Sequence, residues 1–263
     1  MKPFLFTIGD VGIPSFFFMI MVAALIATWV ALRLAKREGL SEIVVLDMAI
    51  IAILTSMVGA RIFHVLFEAP MYYWEKPIRV FYFWQGGFVS LGAFITVIFC
   101  WAAYLKIKKL DVPRYLDLAA CVAPIIICCV RIGCFLNGCC YGKPHFGFPS
   151  VVYTNPSSTA CAMKFCNIPL YPTQAFFMLN AVVMFFVLLA VRRYRKFSGQ
   201  VGAAFLMYYG VSRFFIEFFR GDEDRGVYFG GAISTGQIVM VLFFLGGLFM
   251  WRHFAKQNQN STA

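Results

Sequence analysis

Seven stretches of this sequence, 14–34, 44–67, 87–105, 115–135, 172–191, 201–220 and 234–251, run on with almost no charge. A bilayer core of about 30 Å is crossed by a helix of about 20 apolar residues. Within that core every backbone N–H and C=O must be bonded inside the chain, so runs of this length fold as helices. Composition agrees, with 61% of the 263 residues hydrophobic, 13% charged and a mean hydropathy of +0.77. A soluble domain carries about 25% charged residues. The expected fold class is therefore an all-α polytopic membrane protein, a bundle of seven transmembrane helices forming one integral membrane domain over residues 1–263. The opening MKPFLFTIGDVGIP holds one lysine and Asp10, and the apolar run after it is too long for a signal-peptide core, so a retained first span is expected.

The net charge of +11 would suit nucleic acid, but the basic residues cluster in short loops between apolar runs, and no nucleic-acid partner is expected. Arg33, Lys36 and Arg37 follow the first span. Lys106, Lys108, Lys109 and Arg114 separate the third from the fourth. Arg192, Arg193, Arg195 and Lys196 separate the fifth from the sixth, and Arg252 and Lys256 follow the seventh. With seven spans, these thirteen of the 23 Lys and Arg residues share one side. The opposite loops mix Lys76, Arg79, Lys143, Lys164 and Arg225 with Glu68, Glu75, Asp222, Glu223 and Asp224. Positive residues favour the cytoplasmic side, so the N-terminus is expected outside and the C-terminus in the cytoplasm.

Arg61, Arg131, Arg213 and Arg220 remain within or at the ends of spans. An arginine at mid-bilayer costs about 2.5–3.5 kcal/mol on insertion scales unless depth or a partner relieves it. In the expected orientation all four fall in the outer halves of their spans, with His64 and Glu217, as around a polar cavity open to the outer leaflet. Arg213, Glu217 and Arg220 stand at i, i+4 and i+7, on one helix face. That spacing suits an intrahelical ion-pair ladder. It also leaves an excess of guanidinium, which suits a phosphate gripped in bidentate fashion. Asp47 and Asp117, near the inner span ends, are expected to be paired or interfacial.

Residues 131–142 read RIGCFLNGCCYG. Gly133, Gly138 and Gly142 weaken a helix, and Asn137-Gly138 is a turn signal, so the fourth span should stop here and hold Arg131 against a tight turn. Of nine cysteines, Cys100, Cys121, Cys128 and Cys129 fall in spans, as small apolar fillers. Cys134, Cys139 and Cys140 fall at the outer end of the fourth span, and Cys161 and Cys166 in the loop beyond. Several chemistries stay open there: a Cys161–Cys166 disulfide, a disulfide from that loop to Cys139 or Cys140, a thiol activated by Arg131, or a metal held by the three thiols and His145. The spacing matches no familiar zinc pattern, and neither a metal nor a cofactor is expected.

The segment resembles the signature R-x-G-N-F-x-N-x-E-x-x-G of the bacterial phosphatidylglycerol–prolipoprotein diacylglyceryl transferases, with Arg131, Gly133, Phe135, Asn137 and Gly142 matching. TIGDVGIP, VGARIFHVLFE, FWQGG at 83–87, YPTQAFF at 171–177 (beside H-P-T-Q-L-Y-E), YGVSRFFIEFFRGD at 209–222 (beside Y-G-x-x-R-F-x-x-E-x-x-R) and GQIVM resemble further motifs of that family, in its order along the chain. The resemblance implies transfer of a diacylglyceryl group from phosphatidylglycerol to the lipobox cysteine of a prolipoprotein, with glycerol phosphate leaving. It places the chain in a bacterial plasma (inner) membrane, among membrane lipids, with its active site toward the outer leaflet.

By that resemblance, Arg131 and Arg213 stabilise the departing phosphate, supported by Glu217 and Arg220. Arg61, Asn137, Gly142, Gln85 and Gln174 match positions at the substrate. Several positions depart from the family pattern. The histidine of H-G-G-L, a proposed base, is Leu91, the signature asparagine is Cys134, and the signature glutamate is Cys139. The tyrosine early in the first span is Phe16, and the histidine of H-P-T-Q is Tyr171. His64, Cys139 and the neighbouring thiols are the candidates for the missing acid–base group, and Cys134 is placed at the substrate. Other readings are a divergent relative that binds anionic phospholipid but uses another acceptor, a membrane thiol-redox protein, and a transporter or channel. A transporter would carry an inverted repeat, which the sequence lacks.

Overall fold

The apolar runs fold as helices close to the boundaries read from sequence, except that the last helix runs on to Thr262, beyond the expected end near 251. A computed structural model describes residues 2–8, 11–83, 86–221, 226–228 and 233–262. The helices are α1 (Ser15–Glu38), α2 (Glu42–Phe63), the short α3 (Pro70–Glu75), α4 (Ser90–Ile107), α5 (Val112–Asn137), the single-turn α6 (Thr159–Ala162), α7 (Thr173–Arg193), α8 (Gln200–Glu217) and α9 (Thr235–Thr262). Six of them, α1, α2, α4, α5, α7 and α9, are long and apolar enough to cross a membrane, and the chain is a multi-pass membrane protein. The seventh expected span corresponds to α8, whose apolar character is diluted by Gln200, Tyr208, Tyr209, Ser212, Arg213 and Glu217. Three antiparallel ladders lie outside the long helices: β1 (Phe4–Ile8) with β2 (Val11–Pro14), β3 (Val151–Val152) with β4 (Pro169–Leu170), and β5 (Val227–Tyr228) with β6 (Ile233–Ser234).

The chain divides into two compact units, one of residues 32–112 and one of residues 1–31 and 113–263. In the first, α2 packs along α4. Trp101 Nε1 donates to the Met48 carbonyl at 2.7 Å, and the Tyr104 hydroxyl donates to the Asp47 carboxylate. Past Phe63 the helix widens into a π turn over His64–Glu68, a form often found at functional sites. A 3₁₀ turn, Pro77–Phe81, follows α3.

In the second unit, α8 packs against α7 and α9, and Asn180 Nδ2 donates to Ser212 Oγ at 3.1 Å between α7 and α8. Asp117 is fully buried and accepts from the N–H groups of Gly199 and Gly202, both at 2.8 Å, at the start of α8. Asp47 and Asp117 are thus both hydrogen-bonded within the protein, in line with the paired alternative. The loop between α5 and α7 has its own small core of Tyr141, Tyr153, Ala160 and Leu170, against which Phe165 packs. Cys161 and Cys166 form a disulfide in this loop.

Candidate active site

Helix α5 ends in a Schellman closure. Gly138 takes the left-handed backbone at φ +75°, and the Cys139 N–H donates back to the Cys134 carbonyl at 3.1 Å. This bond folds Cys139 over the last turn of the helix. Cys140 follows, also left-handed at φ 57°. The turn gathers the three thiols, so that the Sγ atoms of Cys134, Cys139 and Cys140 all lie within 4.8 Å of one another, each cysteine unbridged. Hydrogen bonds with the Cys134 and Cys139 thiols draw the Cys140 thiol well below the usual range. Burial opposes this, and the Arg131 and Arg220 guanidiniums reinforce it. Cys139 moves up to about 11, because its lowering bond with Cys134 is outweighed by its bond with Cys140 and by burial. His145 lies outside the thiol cluster, with its ring stacked on Tyr171 at 3.9 Å between centroids.

The YPTQ segment holds this turn. Gln174, fully buried, donates from Nε2 to the Cys139 carbonyl at 2.7 Å and to the Tyr153 hydroxyl at 2.8 Å. Thr173 Oγ1 donates to the Cys140 carbonyl at 2.7 Å. Gly142 N–H donates to the Tyr171 carbonyl at 3.1 Å, Lys143 N–H to the Phe219 carbonyl at 2.9 Å, and Gly221 N–H to the Tyr141 carbonyl at 3.1 Å. Three motif segments are thereby joined by their backbones. A Cβ on Gly142 would stand 2.5 Å from the Tyr171 carbonyl oxygen and 2.8 Å from that of Phe219, so only glycine allows the approach. Asn137 Nδ2 donates to Thr159 Oγ1 at 3.1 Å, tying the helix end to α6.

Arg131 and Arg213, both half-buried, converge on one ring. The Arg131 guanidinium carbon lies 4.4 Å, and that of Arg213 5.5 Å, from the centroid of the buried Phe177. Such contacts suit a cation over an aromatic face. Arg213 Nη1 donates to the Tyr209 hydroxyl at 3.0 Å, while its buried Nε has no hydrogen-bond partner among the described residues. Neither arginine pairs with a carboxylate among the described residues. Among the described residues, the ion-pair ladder read along α8 forms only at its last step, where Arg220 Nη1 lies 3.6 Å from Glu217 Oε2 and Ser234 Oγ donates to Glu217 Oε1 at 3.4 Å. Among the described residues, the two guanidiniums on Phe177 thus have no carboxylate partner.

In the other unit, Arg61 is 3% exposed and directs all its N–H groups to backbone carbonyls. Nε bonds Val80 at 3.1 Å, Nη1 bonds Gly86 and, at 3.2 Å, Gly87, and Nη2 bonds Arg79 at 2.7 Å and Tyr82 at 3.1 Å. It organises the loop before α4. His64 Nδ1 is hydrogen-bonded to the Tyr73 hydroxyl at 3.0 Å, and its Nε2 lies 3.6 Å from Glu68 Oε2. Leu91, in the first turn of α4, offers no proton-accepting atom. Gln85 lies outside the described residues.

Phe177, Tyr209 and Tyr153 were not singled out from the sequence. Two of them left a signal there. Tyr209 is four residues before Arg213, the spacing of neighbours on a helix face, and Phe177 stands where the H-P-T-Q-L-Y-E motif ends in glutamate. An aromatic face thus lies between the arginines where the motif has a carboxylate.

A sequence model of a family described as prolipoprotein diacylglyceryl transferase matches residues 3–253. The phosphatidylglycerol–prolipoprotein diacylglyceryl transferase of Clostridium tetani is 31% identical over 259 residues, covering 98% of this chain and all of that one. The enzyme of the same name from Geobacter sulfurreducens is 28% identical over 251 residues, 94% of this chain and 93% of that one. The one from Pectobacterium atrosepticum is 28% identical over 264 residues, 94% and 91% of the two chains.

Proposed function

Since the chain belongs to the prolipoprotein diacylglyceryl transferase family, we propose that it moves a diacylglyceryl group from phosphatidylglycerol to the lipobox cysteine of a prolipoprotein, releasing glycerol phosphate. The observation that carries this is the pair of arginines on Phe177, both free of carboxylates among the described residues. A phosphodiester has one negative charge, and the phosphate that leaves gains a second. Cations already fixed where that charge grows stabilise the transition state more than the ground state. Arginine adds a planar fork that can hold two phosphate oxygens at once. Glu217, paired with Arg220, steadies the end of α8. The acceptor thiol must lose its proton before its sulfur can attack carbon. With leucine at position 91, His64 and the three thiols are the candidates for that step.

In this proposal the protein is one integral domain of seven spans in a bacterial inner membrane, with α8 as the sixth. Its N-terminus is outside, its C-terminus is cytoplasmic, and the site opens toward the outer leaflet. The basic loops of one side support this orientation. A second reading is favoured by Leu91 and Cys139 standing at the histidine and glutamate positions: a relative that binds the same lipid and alkylates a different acceptor. Expression in a bacterium depleted of its own diacylglyceryl transferase, with a reporter prolipoprotein followed by gel shift and mass spectrometry, separates the two. A diacylglyceryl adduct on the reporter cysteine is expected. No adduct on this or a native reporter, with the chain inserted and phosphatidylglycerol bound, would overturn the acceptor assignment.

A further inference from the structure

The three thiols at the end of α5 are more than the arginine site requires. Their sulfurs lie within 4.8 Å of one another. Tetrahedral zinc–thiolate bonds of about 2.3 Å set sulfurs about 3.8 Å apart, so a small side-chain adjustment would bring all three into bonding range. The backbone beneath them is already fixed, by the Cys139 N–H on the Cys134 carbonyl and by Gln174 and Thr173 on the carbonyls of Cys139 and Cys140. Preorganisation of that kind is what a metal site needs from its surroundings. Charge also balances. Three thiolates around a divalent ion leave one net negative charge, and Arg131 stands three residues before Cys134 on the same helix face. His145 lies outside the cluster, so among the described residues the three thiols leave a fourth position open, as catalytic rather than structural zinc sites do.

We propose that Cys134, Cys139 and Cys140 hold a soft divalent metal ion, zinc in the first instance, and that its open position takes the acceptor thiol of the substrate. The second part rests on the transferase reading above. A coordinated thiol gives up its proton outright, which supplies the function that Leu91 cannot. The acceptor S–H loses its proton on binding the metal. The metal-bound sulfur then forms a C–S bond to the glycerol carbon of the diacylglyceryl group as the C–O bond to phosphate breaks. The electron pair of that bond leaves on glycerol phosphate, held by Arg131 and Arg213. The released proton ends on water or on the departing phosphate, and nothing is oxidised or reduced.

The test uses the full-length chain in nanodiscs, purified through a tag without histidine. We expect about one zinc per chain. C134S, C139S and C140S should each hold at least ~10-fold less metal, while C128A/C129A, in the middle of α5, should hold as much as the parent. Cobalt added to the reduced, zinc-free protein should give a sulfur-to-metal charge-transfer band, and a lipobox peptide, but not its serine counterpart, should shift the cobalt d–d bands. Absence of zinc from the parent together with no cobalt charge-transfer band would overturn the site. So would a disulfide among the three cysteines in the intact mass, or metal that persists in all three serine variants. Cobalt bands indifferent to the cysteine peptide would overturn the thiol-binding role. Bound metal with no diacylglyceryl adduct would instead overturn the transferase reading and leave the metal site standing.

Discussion

Arg61 and Arg131 are both arginines in apolar helices, and their surroundings give them opposite tasks. Every N–H of Arg61 is engaged by a carbonyl of the 79–87 loop. Truncation leaves buried acceptors unsatisfied, at about 1–3 kcal/mol each. Arg61→Met should therefore lower the yield of inserted protein and its thermal midpoint, whatever it does to turnover. Arg131 and Arg213 instead touch a ring, and Arg213 Nε has no hydrogen-bond partner among the described residues. Arg131→Lys and Arg213→Lys keep the charge and lose the fork. Each should insert and melt like the parent while transfer to a reporter peptide slows by about 100-fold or more. The arginines were legible from sequence as costly charges in apolar runs. That Arg61 is wholly engaged by backbone was not, because the carbonyls that bond it come from an irregular loop with no periodic pattern.

Among the elements, the α5 terminus positions the most chemistry, and it follows from local rules. Asn137-Gly138 stops the helix, the Schellman bond returns Cys139 onto Cys134, and α7 begins with the two side chains that hold the turn. Gly138→Ala forces a Cβ into the left-handed region and should cost about 1–2 kcal/mol in denaturation of the detergent-solubilised protein. Gln174→Leu removes the donor shared by the Cys139 carbonyl and the Tyr153 hydroxyl. It should lower the thermal midpoint by an amount equivalent to about 1–3 kcal/mol. The helix stop could be read from its glycines. The gathering of the thiols could not, since a C-x₄-C-C spacing resembles no zinc motif until the turn has folded it. The π turn after Phe63 and the short ladders were also hidden, because strands of two residues and one widened helical turn leave no hydrophobic period to read.

For the whole molecule, the long helices were plain from apolar length alone, and charge placement in the loops supports one orientation. Helix α8 is the exception: Tyr209, Arg213 and Glu217, which the proposed site would use, dilute its apolar character. The orientation predicts that a cytoplasmic reporter fused after residue 263 is active, and that an exported reporter fused there is not. Fusions after Lys109 should behave in the same way. Activity of an exported reporter at either position would reverse the assignment. The most direct measurement of the proposed transfer incubates the purified full-length chain with phosphatidylglycerol vesicles and a lipobox peptide, then reads peptide mass and released glycerol phosphate together. The predicted result is a diacylglyceryl thioether on the peptide cysteine and an equal amount of glycerol phosphate, both lost in Arg131→Ala. Unmodified peptide and intact phosphatidylglycerol, with the protein folded and the lipid bound, would contradict it.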